Sequence, residues 1–506
     1  MEKSDTRGSS KGQRLGRAAV RRDWCQFVAI PTSLRGVIVL VLLAVMIACG
    51  GGTGSTRTIV IPPPNCGGSP APARAARTSV PSISPLALSQ LSPQFFGMHV
   101  DVGVLNTPPA YPWPSFPFGT VRMTSTETKW SQIDTCQRGQ GVCTSENEYD
   151  FSTLDQWRSL YQQNGNYDVI YTIYSVPTYI SSNPTDPCSF SSSSDHTLGS
   201  CDPPTDLNAD GTGTDQTFKN FITAMAQHVN SDSLVKIHRW EMWNEPNNFS
   251  LWNGTLAQLV RMAQDARGII LSIDPSAQML TPTPVTTTDQ TKTALNSPSG
   301  WMSAYLAAGG GPYADILTFH GYVEPGNPVE GVFDVAQSFV QTAASTGKPV
   351  WDTELGYATS DVCDPDMQAG WLARAYLLQP GLGVERVGWF EYGATNFGTL
   401  YVPGSGLNAA GNAYGVLYDW LASATPTGPC TSSGNVWTCD FTLSGGAQAQ
   451  AVWDASQSCG NGTCSTSNFT PDSIYKTYKD LQGSSHSISS GSTVPIGAEP
   501  IFLESQ

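Results

Sequence analysis

The sequence predicts an α/β chain, a (β/α)8 barrel followed by a small C-terminal β-sandwich. Three observations carry that reading. Strand-like and helix-like runs alternate over residues 91–425, the pattern of a parallel α/β fold. Eight of those runs read as strands, the number a closed barrel needs. From residue 426 the helical period stops, while short strand-like runs continue between Gly- and Ser-rich turns. At 506 residues and 40% hydrophobic content, the chain is large enough for both parts.

The predicted barrel strands are Phe95–His99, Thr120–Met123, Asp168–Tyr174, Trp240–Glu245, Gln278–Thr283, Ile316–His320, Pro349–Glu354 and Val387–Tyr392. Helical periodicity lies between most of them, at Leu154–Gln163, Asp215–Val229, Leu256–Ile273, Gly300–Ala308, Val332–Thr346 and Asp366–Leu378, with Ala413–Leu421 after the eighth strand. The stretch Asp101–Phe118 is Pro-rich and predicts an irregular first crossover. In the last part, 426–506, the expected strands are Asn435–Leu443, Ala447–Trp453, Ser473–Tyr478 and Ile501–Leu503, an accessory sandwich expected to support the barrel.

The chain begins with a targeting segment. Arg17, Arg21, Arg22 and Arg35 precede the apolar run Val37–Ala48, which is too short to span a bilayer and suits a signal peptide. Small residues before Cys49 resemble a bacterial lipoprotein signal, so residues 1–49 read as a leader with Cys49 as the lipidated residue. An uncleaved single-span anchor is the rival reading; both place the rest outside the cytoplasm, in the cell envelope or beyond. Residues 50–90, with Pro62-Pro63-Pro64, form a Pro/Gly/Ser-rich tether. Cysteine usage agrees with export. Cys136/Cys143, Cys188/Cys201, Cys430/Cys439 and Cys459/Cys464 are close pairs that suit loop disulfides, while Cys66 and Cys363 either pair with each other or stay free. A net charge of −15 argues against a nucleic-acid partner.

Chemistry is concentrated in Trp240-Glu241-Met242-Trp243-Asn244-Glu245-Pro246-Asn247, an apolar and aromatic run that ends in an amide, a carboxyl and a proline. Pro246 cannot continue a central ladder, so Glu245 is expected where a strand emerges, and aromatic cover there would tune its proton affinity. A second carboxyl, Glu354, ends the run Lys348–Leu355. Side chains at the carboxyl ends of barrel strands converge on one mouth, so the two can meet.

These two segments resemble the glycoside hydrolases of clan A, the retaining enzymes on (β/α)8 barrels, in a family 39-like or family 5-like form. The resemblance implies that Glu245 is the acid/base, Glu354 the nucleophile, and a carbohydrate the partner, with no cofactor. It implies that Asn244 contacts the sugar 2-hydroxyl and that His320-Gly321-Tyr322 puts an imidazole and a phenol beside the carboxyls. It also offers Glu354 as partner for Arg122, with Glu241 as the alternative acid. Rings stack on pyranose faces, and Trp389 leads the candidates for a sugar platform. Trp130 and Tyr174 stand behind it, and Trp243 reads better as core. His99 is a candidate hydroxyl contact, and Glu391 is the rival carboxylate near the mouth. Asp206–Gly211 matches the first half of a calcium loop, but Thr217 stands where a bidentate Glu is required, so no metal is assigned. A catalytically retired barrel that binds glycans at the surface is the alternative function.

Overall fold

The computed structural model describes residues 88–505 apart from 137–142, 145–147, 166, 189–196, 249, 288–294, 325, 394–395 and 461. The predicted leader, Cys49 and all but the end of the tether lie outside the described residues. Among the described residues no helix is long and apolar enough to cross a membrane.

Eight parallel strands, β1 Phe96–Met98, β2 Thr120–Met123, β3 Asp168–Thr172, β4 Arg239–Glu241, β5 Gln278–Leu280, β6 Leu317–His320, β7 Val350–Leu355 and β8 Val384–Trp389, form one sheet. Its order is β5-β4-β3-β2-β1-β8-β7-β6. A single parallel bridge, Leu280↔Ile316, joins the two ends and closes the barrel. The first crossover is irregular, holding only a short 3-10 turn at Val102–Leu105. The helices that follow are α1 Trp130–Ile133, α2 Ser152–Asn164, α3 Gln216–Ser231, α4 Leu256–Ile273, α5 Pro298–Ala307, α6 Gly331–Ala343, α7 Pro365–Leu377 and α8 Ala409–Leu421.

Local sequence explains where they start. Thr255 and Gln258 form a reciprocal capping box at α4, Asp364 accepts from two N–H groups ahead of Pro365 at α7, and Asn408 caps α8. Each such cap contributes about 1 kcal/mol. The apolar stripes then face the sheet; on α4 these are Leu259, Met262, Ala263, Ala266 and Ile270.

Pleat alternation fills the bore in tiers. At the amino-terminal end Asp168 pairs with Arg239 and Arg386. Above them Ile170, Leu280, Ile316 and Trp351 make an apolar plate, and Arg386 stacks on the Trp351 ring at 3.8 Å. A collar of hydroxyls follows: Thr172, Thr283 and Thr353 all donate to the buried Glu241.

Beyond the barrel, separate β-sheets make an additional C-terminal domain. Long strands Val436–Thr442 and Gln448–Asp454 pair antiparallel, and Ile501–Glu504 adds to the second. Val494 and Ile496, from a two-stranded ribbon, pack with Val452 and Leu503 of the main sheet. The ribbon strands Thr466–Phe469 and Val494–Gly497 have no counterpart among the predicted strands. The four expected disulfides are present, and Cys363 is disulfide-bonded too.

Candidate active site

The strand carrying Glu245 ends earlier than predicted. Regular pairing of β4 stops at Glu241; Asn244 makes one further bridge, to Thr283. Glu245 itself has a left-handed φ of 45°, which costs a non-glycine residue about 1–2 kcal/mol. Its N–H donates to Thr283 O at 2.9 Å. Buried Asn247 fixes the following turn by bonding both the N–H and the carbonyl of Val285. The carboxyl of Glu245 is thus aimed by a constrained turn, not by the pleat.

Glu354 is aimed by a bulge. Strict alternation along β7 would send it outward, because Trp351 and Thr353 already face the bore. The β6–β7 register instead jumps, with Phe319 opposite Asp352 and His320 opposite Glu354. A bulge adds one residue and re-aims the next side chain, so Thr353 and Glu354 both face inward.

Arg122 ties these strands together. Its Nε donates to Glu241 Oε2 at 2.6 Å, one Nη to Glu354 Oε2 at 2.6 Å and the other to Asn244 Oδ1 at 2.8 Å. Both expected partners are therefore used at once. Burial works to discharge the guanidinium, but Glu241 and then Glu354 outweigh it and keep it charged. Burial likewise opposes ionisation of Glu241; Arg122 wins and holds that carboxyl below its usual range.

Glu245 sits in a contrasting environment. Burial pushes its carboxyl up to about 7, against weaker opposition from Arg122 and Asn248. His320 Nδ1 lies 2.9 Å from Glu245 Oε1, and its Nε2, with no hydrogen-bond partner, lies 3.8 Å from Glu354 Oε2. Burial drives this imidazole down to about 4, although Glu354 opposes it, so the ring is neutral and carries one N–H. When Glu245 is protonated its O–H donates to Nδ1 and the ring N–H turns toward Glu354. When Glu245 is ionised, Nδ1–H donates instead. Tyr322, on the same pleat face as His320, donates its phenol to Glu354 Oε1 at 3.0 Å. Oxygens of Glu245 and Glu354 and a nitrogen of His320 all lie within 4.8 Å of one another.

The other predicted residues fall elsewhere. Trp389 is fully buried, donates its indole N–H to Gly398 O, and packs against Trp371 and Tyr376 of α7. It faces the helix layer, so the expectation of a sugar platform there is corrected. Trp130 stacks on Phe221 of α3 and is likewise wall packing; Trp243 is core, as expected. Tyr174, beyond the end of β3, donates to Thr124 O, and its ring lies under the Lys129 ammonium at 5.4 Å. His99 lies in the bore with both nitrogens engaged: Nε2–H donates to Thr353 O and Nδ1 accepts from Thr124. No ring nitrogen is left for a sugar hydroxyl. Glu391 is buried beside the mouth.

Phe390 and Phe397, part-exposed like Tyr322, border Gly356 just past the end of β7. Phe397 lies edge-on to Tyr322, and Phe390 to His99. The signal for Phe390 was present in β8. A side chain at Gly388 would strike Thr353 O at 2.5 Å, so position 388 faces the bore. Two residues on, Phe390 shares that face while Trp389 takes the other.

The calcium-loop resemblance dissolves into turn chemistry. Asp206 accepts from Thr217 N–H and both threonine hydroxyls nearby, and Asp210 accepts from Thr212.

The family model described as cellulase (glycosyl hydrolase family 5) matches residues 195–390, which include Glu245 and Glu354. No curated protein matches the sequence. Among solved structures, a family 39 glycoside hydrolase from the gut symbiont Bacteroides cellulosilyticus WH2 is similar, with TM-score 0.56 and 17% identity, over 82% of each chain. A glucosidase from Croceicoccus marinus gives 0.53 and 13%, over 82% of this chain and 96% of that one. The catalytic domain of a family 30 xylanase C from Talaromyces cellulolyticus gives 0.52 and 12%, over 82% and 97%. At these identities the likeness is one of fold. Taken with the strand order, it makes the chain a clan A-like (β/α)8 barrel in fold, with residues 195–390 matching the glycosyl hydrolase family 5 model.

Proposed function

We propose that the protein is a retaining glycoside hydrolase that cleaves O-glycosidic bonds of an oligo- or polysaccharide by double displacement. The observation that carries the reading is the pair Glu245 and Glu354, with oxygens within 4.8 Å of each other, Glu354 ion-paired with Arg122 and Glu245 buried beside an imidazole. Retaining enzymes use carboxyls about 5–5.5 Å apart, whereas inverting ones leave about 6.5–9.5 Å for a water. Glu354, held by Arg122 and Tyr322, is the nucleophile that attacks the anomeric carbon. Glu245, kept protonated near neutral pH by burial, donates its proton to the leaving oxygen. The leaving alcohol departs and Glu245 then deprotonates a water, which releases the sugar from Glu354 with net retention. Neutral His320 orients the Glu245 carboxyl through Nδ1. Asn244, fixed by Arg122, is placed for the sugar 2-hydroxyl.

Azide separates the roles. Glu245→Ala should retain turnover of an aryl glycoside with a good leaving group, and added azide should accelerate it and give a glycosyl azide of retained configuration. Rescue of Glu354→Ala with inverted product would reverse the assignment. No difference between either variant and wild type would bring forward the glycan-binding reading. The disulfides support an oxidising, extracytoplasmic location, and the run ending at Cys49 supports lipid anchoring. Mass spectrometry of membrane-extracted protein should find an acylated Cys49 at the N-terminus; an intact Met1 peptide would reject cleavage.

A further inference from the structure

The bulge that turns Glu354 inward brings the Gly321 N–H, which donates to Glu354 O at 3.0 Å, within reach of a second acceptor, Asp352. It lies on the outer face of β7 and is completely buried. Its Oδ1 accepts the Gly321 N–H at 2.9 Å, and the Glu354 N–H also meets this carboxyl. Gly321 is the residue between His320 and Tyr322, and a Cβ there would lie 2.2 Å from Asp352 Oδ2. One carboxyl therefore touches the backbone of Glu354 and of Gly321, the residue that separates His320 from Tyr322. The fit requires glycine at 321.

The same carboxyl has an anomaly. Oδ2 has no hydrogen-bond partner, and none of the cations among the described residues forms an ion pair with it. The ionisable groups around it are Glu354 on its own strand, Tyr322 beyond β6 and Tyr376 on α7, and the Glu354 charge repels an anion at 352. A buried carboxylate without a counter-ion and with an orphaned oxygen is unstable relative to the neutral acid. Burial accordingly pushes this carboxyl well above its ordinary range. The side chain of Gln379 reaches it, and Gln379 Oε1 also lacks a partner. A proton on Oδ2, with the carboxamide turned to present its oxygen at the expense of the long 3.3 Å bond from Nε2 to Ala375 O, gives both orphaned atoms a partner.

We propose that Asp352 is a neutral carboxylic acid and the positioning residue of the site, clamping the bulge through Oδ1 while Oδ2–H donates to Gln379. The assignment of a kinetic role rests on the glycosidase reading above; the neutral acid does not. Asp352→Asn keeps an acceptor for Gly321 and a donor for Gln379, and should hold kcat on an aryl glycoside within about threefold of wild type. Asp352→Ala removes both and should lower kcat about a hundredfold, the scale of an ångström-sized misplacement, with KM changed less than threefold. Asp352→Ala with wild-type kcat overturns the clamp, as does Asp352→Asn equally impaired while still folded. A difference infrared spectrum of wild type against Asp352→Asn at neutral pH should show the carbonyl band of a protonated acid. Carboxylate bands in its place overturn the neutral form. That spectrum needs neither turnover nor the alanine variant. Absence of any glycosidase activity in the wild type would count against the reading of function alone.

Discussion

The lower and upper halves of the barrel bore are built by the same strands to opposite ends. β3 contributes Ile170 below and Thr172 above; β7 contributes Trp351 below, then Thr353 and Glu354. Below, four apolar side chains make a plate over the Asp168 ion pairs with Arg239 and Arg386. Above, Arg122, Glu241 and Glu354 form a charged tier with strained or bulged backbone on either side. The lesson is that packing energy and chemistry are held in different tiers, so substitutions should separate them. Upper-tier changes should reach activity first and can even add stability; lower-tier changes should reach stability alone.

The largest expected effect is in the upper tier. Glu354→Gln should lower kcat by about 10⁴-fold or more on every glycoside, as losing a nucleophile does, with thermal unfolding showing the fold intact. Next, Arg122→Met leaves two buried carboxylates facing one another. It should cost about 3–5 kcal/mol in denaturant unfolding at neutral pH and should recover in acid, as the carboxyls protonate. Leu280→Ala in the plate should cost about 2–5 kcal/mol with kcat unchanged; an equal loss of kcat would break the separation of tiers.

Glu245→Gln sharpens the comparison by its sign. The folded state holds the Glu245 proton up to about pH 7, above the ordinary carboxyl range. A raised carboxyl favours folding at low pH, and that contribution is lost as pH rises from the unfolded value through the folded one. The variant should therefore be more stable than wild type above pH 7, by up to a few kcal/mol, and indistinguishable near pH 4. In the wild type the same proton sets the alkaline limb of kcat/KM near pH 7. The smallest effect is Phe390→Ala, expected to raise KM by roughly fivefold for about 1 kcal/mol of lost ring contact, while Trp389→Phe leaves KM unchanged.

Much of this architecture was legible because it follows from period. The barrel strands came within a few residues, and Leu256–Ile273 was legible to the residue because a capping box opens it and its stripe never breaks. The carboxyl pair and Arg122 were legible as polar residues in strands that otherwise read as apolar. What period cannot give is a departure from period. The bulge at Asp352 and the turn at Glu245 shift faces without a sequence mark, so Glu245 was expected at the strand end and lies four residues beyond it. Trp389 leads as a sugar platform by being an aromatic on the eighth strand, whereas parity with Gly388 points to Phe390. The small ribbon at 466–497 escapes the pattern because its strands are short, one largely polar and the other interrupted by Pro495.

The C-terminal domain also reaches into the barrel. Glu330, next to the first residue of α6, pairs with Arg374 of α7 at 3.0 Å and accepts the indole N–H of Trp453 from the long sheet at 2.9 Å. All three are buried. A gene truncated at the end of the barrel would unroof an ion pair that joins the start of α6 to α7. Modular exchange of this domain is thus constrained from inside: any substitute must bring its own donor to the same spot. A barrel expressed without it should melt earlier, and replacing Trp453 alone by Phe should reproduce part of that loss.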